Sequence, residues 1–204
     1  MHLSFSPQLY GTAADFSMIF FLCISLTFFL CSIPFGVILC TLFCDIDPRD
    51  HNSQNIGMSN VWRTCGAWWG FWTLLGDMLK SHAALSIASS LETSPFQLQV
   101  IAFLCVFAHC YSIYLEGKGG KGVASAAGVL LFFSPALAFG LALCWFALKY
   151  SLRNAGLASL ITATICLWLI NDHLPFLFSL FEMIGLLIVW RHRSNIQSFL
   201  PSNL

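Results

Sequence analysis

The chain has 204 residues, of which 58% are hydrophobic and 9% charged, with a formal net charge of zero. Soluble domains carry roughly 25% charged residues, so this chain cannot cover a globule with polar surface, and a bilayer is its expected solvent. Its charges are scattered and form no long basic tract, which excludes nucleic acid as an expected partner.

In chain order, apolar runs fall at about residues 16–43, 65–91, 97–115, 122–134, 135–149, 155–171 and 174–190. A spanning helix needs about 20 residues, and the first three runs reach that length. The first run has no Lys or Arg ahead of it and is too long for a signal-peptide core, so it reads as a retained helix. Ser32-Ile33-Pro34-Phe35-Gly36 is expected to kink it near its inner end. Only Ser134-Pro135 separates the fourth and fifth runs, and a Ser-Pro step is a plausible turn.

Charge placement favours that turn. With the N-terminus outside, the inner connections hold Arg49 and Arg63, Lys118 and Lys121, Lys149 and Arg153, and finally Arg191 and Arg193. The outer connections hold Glu92 and Asp172 and no basic residue, as the positive-inside rule asks. The expected fold is an all-α integral membrane protein with seven transmembrane helices, N-terminus outside and C-terminus cytoplasmic. Residues 1–204 read as one polytopic domain without an internal repeat. The nine cysteines form no C-x-x-C pair and sit mostly in apolar runs, so they read as small hydrophobes.

Four polar clusters stand out. The first inner loop, Asp45 to Arg63, is dense in Asn, Ser and Gln, and Arg63 stands at the foot of the next helix. A solvated turn would have this composition too, but Arg is suited to gripping phosphate with two parallel hydrogen bonds. The second cluster, EGKGGKG over 116–122, reads as a loop whose glycines turn successive N–H groups toward an anion, with Lys121 just before a helix start. It is not a nucleotide phosphate loop: Gly117 and Gly122 have Walker spacing, but Val123 stands where Lys is required. In the third cluster, WRHRSNI at 190–196, Trp and Arg are ordinary interface anchors, while His192 and Asn195 share a face if the helix continues. The fourth is Asp77 and Lys80, one helical turn apart inside the second run and expected to form a structural pair. His82, His109 and His173 read as interface or packing residues.

The ordered set S-I-P-F-G, S-x-N-I-G-x-S-N-V-x-R, G-x-x-L-K, K-G-G-K-G-V-A, L-A-S and R-H-R-x-N-I, running from about Cys31 to Phe199, resembles the bacterial acyl-phosphate:glycerol-3-phosphate acyltransferases. The resemblance implies seven helices in the bacterial inner membrane with the active site facing the cytoplasm. It also implies transfer of a fatty acyl group from acyl phosphate to the 1-hydroxyl of glycerol 3-phosphate, giving lysophosphatidate and inorganic phosphate in phospholipid synthesis. It carries Lys121, His192 and Asn195 over as catalytic residues. Ser53, Asn55, Gly57, Ser59, Asn60, Arg63, Gly119, Gly120, Gly122 and Ser159 follow as substrate-binding residues. Membrane lipid is the expected surrounding, the chain is expected to act as a monomer, and neither cofactor nor metal is expected. Departures are Asn52 and Gln54 in place of flanking glycines, Ser59 for the usual Thr, Ser125 where Thr is common, and Gly156 where a Ser is usual.

Acyl phosphate is already activated, so positioning and charge stabilisation could supply most of the rate. The hydroxyl proton has two candidate acceptors, His192 and a substrate phosphate oxygen; the second is preferred, with His192 orienting. None of the six histidines has Asp five residues later, which argues against the acyl-CoA class that uses such a pair. The rivals left open are a small organic-phosphate transporter and an inactive membrane homologue. Polar clusters gathered at one membrane face favour surface chemistry over transit.

Overall fold

The computed structural model describes residues 13–174 and 177–197. Phe199, at the end of the matching motifs, lies outside them. The described chain is all-helical: α1 (Ala13–Ser32), α2 (Phe35–Cys44), α3 (Met58–Cys65), α4 (Ala67–Ser90), α5 (Pro95–Cys110), α6 (Val123–Phe133), α7 (Pro135–Leu152), α8 (Ala155–His173), α9 (Phe178–Arg191) and α10 (Arg193–Gln197).

Among the described residues, four stretches are long and apolar enough to cross a membrane: Met18–Cys44, Pro95–Leu115, Pro135–Leu152 and Ala155–His173. α6 is apolar but has only 11 residues. The fourth and fifth runs are indeed separate helices. The ladder ends where the Ser134 N–H reaches Leu130 O, and Pro135, which has no N–H to leave unpaired, opens α7.

Local chemistry sets the other boundaries. Ser94 and Gln97 form a reciprocal capping box ahead of α5, and Asn154 Oδ1 accepts the Leu157 N–H at the start of α8. Pro34 interrupts the first run as expected. The interruption turns Ser32 toward α5, where its Oγ donates to Ala108 O and its carbonyl accepts from Ser112 Oγ. Gly36 then lets the first loop pass across α2, because a Cβ there would stand 1.8 Å from Ile56 O. The S-I-P-F-G motif is thus a corner that places the first loop.

α4 packs against α1, α2, α3, α5 and α6, while α9 bridges α5 and α8 and α7 joins α6 to α8. Small residues line these contacts, among them Ala84, Ala88, Ala102, Ala108, Cys105 and Cys110, as helices packing within lipid require. Cys23, Cys31, Cys105 and Cys110 are buried in the apolar core, the place expected of small hydrophobes. Between helices, Ser81 and Ser125 share a 2.6 Å hydrogen bond, and Ser125 also donates to Cys105 O. Serine in place of threonine at 125 therefore keeps its bonding function.

One expectation needs correction. Arg63 is not at the foot of the long second helix; it belongs to a separate short helix, α3, which Gly66 (φ 92°) turns away from α4. α3 is amphipathic, burying Met58, Asn60 and Val61, but it is only eight residues long and mostly polar or small, so the sequence reads there as loop.

Candidate functional site

A cavity of about 420 Å³ opens among the first loop, α3, α4 and α6–α10. One end is polar, bounded by Ser53, Asn60, Arg63, Lys121, His192 and Asn195. Most of the remaining wall is apolar and includes Leu130, Leu141, Phe146, Leu167 and Ile184, with Asp77, His109, Ser159 and Thr162 as polar exceptions. A charged group held at one end of such a space can carry an aliphatic chain in the other.

Asn60 organises the first loop. It is 1% exposed, and its Nδ2 donates to Pro48 O at 2.7 Å and His51 O at 3.1 Å. Its Oδ1 accepts from Ser53 N–H and Ser53 Oγ, both at 3.1 Å. Arg63 Nη2 donates to Ser53 Oγ at 3.0 Å and leans on Asn60 Oδ1 at 3.4 Å. Asn55 Oδ1 takes the Gly57 N–H ahead of α3, an Asx turn. Asp47 and Arg49 pair within the same loop, which holds the Asp47 carboxyl below the usual range. Asn52 and Gln54, the residues in place of the family's glycines, both adopt positive φ, 52° and 55°. The loop keeps a glycine-like backbone without glycine.

Lys121 stands on the opposite wall. Its ammonium donates to Asn195 Oδ1. Burial first, then Arg191 and Arg63, hold its pKa below the ordinary lysine value. Lys121 and Arg63 both line the cavity, and like charges gathered in this way favour an anion beside them. Gly122 (φ 86°) caps α6 just beyond, and the first-turn N–H groups of that helix have no intrahelical acceptor. His192 is 2% exposed. Its Nδ1 lies 2.8 Å from Ile188 O, so it carries the proton, leaving Nε2 as an acceptor. Burial is the largest influence on His192, and Lys121 and Arg191 add to it; together they hold its pKa below the usual value and keep the ring neutral at pH 7. α9 stops at Arg191 and α10 resumes at Arg193, yet His192 and Asn195 both face the cavity.

Of the residues singled out from sequence, Ser53, Asn55, Gly57, Ser59, Asn60, Arg63, Lys121, Gly122, Ser159, His192 and Asn195 line this one cavity. Gly119 and Gly120 do not. The expected nest of N–H groups is not formed by these two, because Gly119 N–H donates to Cys110 O and Gly120 N–H to His109 O, each at 3.1 Å. Their carbonyls are held by Arg191, through Nη2 to Gly119 O and Nε to Gly120 O. Ser159 donates its hydroxyl proton to Ala155 O while accepting from Trp145 Nε1. Gly156 gives Asn195 room, since a Cβ there would lie 2.9 Å from its Nδ2.

Sequence reading missed the loop-holding part of Arg191, because an arginine beside a tryptophan at a helix end is also what a membrane anchor looks like. It also missed His109, read as packing. Asp77 and His109 both reach the cavity wall, and the available signal was a third ionisable residue inside an apolar run.

A helical membrane protein that joins a cationic, hydrogen-bonding end to a largely apolar cavity has the makings of an enzyme acting on lipid precursors, and the comparisons agree. The family model for glycerol-3-phosphate acyltransferase matches residues 21–201. A glycerol-3-phosphate acyltransferase of Lawsonia intracellularis is 38% identical over 170 residues, covering 81% of this chain and 84% of that protein. One from Fusobacterium nucleatum subsp. nucleatum is 34% identical over 185 residues, covering 90% and 95%. The crystal structure of PlsY (YgiH), an integral membrane glycerol 3-phosphate acyltransferase, in its glycerol 3-phosphate form, superposes with a TM-score of 0.81 at 30% identity, covering 87% of this chain and 90% of that one. Its lysophosphatidic acid form gives 0.79 at 29% identity. The chain belongs to the glycerol-3-phosphate acyltransferase family of PlsY type.

Proposed function

We propose that this protein transfers a fatty acyl group from acyl phosphate to the 1-hydroxyl of glycerol 3-phosphate, releasing lysophosphatidate and inorganic phosphate. The observation that carries this is the cavity itself: cations and hydrogen-bond donors at one end, aliphatic walls at the other. The solved relatives bound to glycerol 3-phosphate and to lysophosphatidic acid support the acceptor and the product.

Arg63, Ser53 and Lys121 hold phosphate oxygens, and Asn195 steadies Lys121. Asn55, Gly57, Ser59 and Gly122 shape the walls, and Ser159 faces the acyl side. Gly119 and Gly120 act from behind, by fixing the loop. His192 Nε2 accepts a hydrogen bond from the acceptor hydroxyl and orients it. The hydroxyl oxygen attacks the acyl carbonyl carbon, the carbonyl C–O bond to phosphate breaks, and the proton passes to a phosphate oxygen. A phosphate monoester's second pKa is about 6, so it competes as acceptor with a histidine whose own basicity burial has reduced. No cofactor is invoked.

The inner-loop basic residues support seven spans with the N-terminus outside and the site facing the cytoplasm, and membership of the family supports the bacterial inner membrane. A monomer suffices, because one chain supplies every group named.

The test is turnover by purified protein in detergent with palmitoyl phosphate and glycerol 3-phosphate, Lys121→Ala in parallel, and palmitoyl-CoA as alternative donor. Lysophosphatidate formed from acyl phosphate and lost in the variant is the expected result. Product from palmitoyl-CoA alone would overturn the donor assignment.

A further inference from the structure

The ion pair inside the bundle is more than a neutralised pair. Lys80 Nζ donates to Asp77 Oδ1 at 2.7 Å, to Ile33 O at 2.7 Å, and meets His109 Nδ1 at 3.0 Å. All three side chains are almost fully buried. An ammonium has donors only, so Nδ1 accepts and the ring proton lies on Nε2. The Ile33 carbonyl is available because the Ser32–Phe35 corner leaves it outside the helical ladder. One cluster therefore ties the end of α1 to α4 and α5 and fixes the imidazole in a single orientation.

That imidazole supports the glycine loop. A Cβ on Gly120 would come 2.2 Å from His109 Nε2, and one on Gly119 would come 2.1 Å from His109 O. The N–H groups of both glycines are taken by the carbonyls of Cys110 and His109, and both glycine carbonyls by Arg191, whose guanidinium stacks over Tyr111. Every hydrogen-bonding group of the Gly119–Gly120 backbone is thus committed, and the next residue is Lys121. A buried ion pair is about neutral in stability against an apolar replacement of equal size, so stability gives little reason for it here; fixing a ring against a backbone does.

We infer that His109, oriented by Asp77 and Lys80, is a positioning residue that places Lys121 through the Gly119–Gly120 backbone. This rests on the reading of Lys121 as a phosphate ligand. Both glycines are then needed because the histidine ring and its carbonyl occupy the space of their side chains.

The experiment is direct binding of glycerol 3-phosphate to the full-length protein in detergent, without any acyl donor. Failure of the acyl-phosphate reading would appear as absent turnover in the wild type and would leave this binding test intact. His109→Asn keeps an acceptor near Lys80 but withdraws the ring from Gly120; Gly120→Ala drives a methyl into the ring. Each is expected to weaken binding roughly tenfold or more. In the double variant Gly120→Ala/His109→Asn, the methyl occupies vacated space, and most of the loss is expected to return. Unchanged binding in Gly120→Ala, or a double variant as weak as the product of the singles, would overturn the proposal. If His109→Asn does not fold, Gly120→Ala alone decides: wild-type binding in that variant would overturn the proposal, and weakened binding with an unchanged melting temperature would support it.

Discussion

Lys121 gives its ammonium to the side-chain oxygen of Asn195, 74 positions further along the chain. The bond joins the loop ahead of α6 to α10, and both residues line the cavity. Asn195→Ala frees the ammonium to wander, and kcat/KM is expected to fall about tenfold or more, as misplacement of a charged group does. Asn195→Asp is expected to be worse for glycerol 3-phosphate affinity, because a carboxylate neutralises Lys121 and repels the dianion. Steady-state kinetics on the two variants checks the order.

Asn60 satisfies two loop carbonyls and holds Ser53 under Arg63. Removing its amide leaves buried partners unpaired, at about 1–3 kcal/mol. Asn60→Ala is expected to lower both melting temperature and activity, whereas Ser53→Ala should lower activity alone. Arg63→Lys should also lose activity, since a point charge does not reproduce the guanidinium fork.

Positive φ at Asn52 and Gln54 gives opposite expectations for glycine at the two sites. A left-handed residue other than glycine costs roughly 1–2 kcal/mol, while added freedom in the unfolded chain takes back about 0.5–1. Gln54→Gly should therefore stabilise slightly. Asn tolerates the conformation better, and Asn52 also donates to Thr64 Oγ1 at 3.1 Å, so Asn52→Gly should be neutral or destabilising. Thermal unfolding of the two variants separates them.

The pH dependence has a defined sign. Lys121 releases its proton below the usual 10.5 in the free protein. Glycerol 3-phosphate affinity is therefore expected to fall as pH rises through that lowered value, and Lys121→Arg should move the decline to higher pH. His192 is held neutral, with its pKa below 6.5. The unfolded chain binds more protons between that lowered value and 6.5, so folding stability is full above 6.5 and is lost as pH falls through this window. His192→Asn is expected to remove that part of the acid-side loss, read by melting temperature against pH.

Asp77→Asn leaves Lys80 buried with one neutral partner in place of a carboxylate. Removing one member of a buried pair typically costs about 3–5 kcal/mol. Asp77→Asn/Lys80→Met, which removes both charges, should recover much of the melting temperature, while glycerol 3-phosphate binding stays weak if His109 has lost its orientation.

Composition and inner-loop charge were enough to read a helical membrane protein, because a bilayer punishes polar surface residue by residue and leaves the pattern in the sequence. The break at Ser134-Pro135 and the corner at Ser32–Gly36 were legible for the same local reason: proline removes a backbone donor wherever it stands. Motif order gathered Ser53, Arg63, Lys121, His192 and Asn195 before any contact was known. α3 was not legible, because its one buried face spans only two turns inside a run of Asn, Ser and Gly that reads equally well as a solvated turn. Nor was the true work of Gly119 and Gly120. Glycine in a loop is as consistent with an anion nest as with close packing, and only the ring of His109, delivered by α5 from outside the motif, decides between them. Arg191 is the same case: its sequence neighbours suggest the membrane surface, and only the fold turns it back onto the loop that carries Lys121.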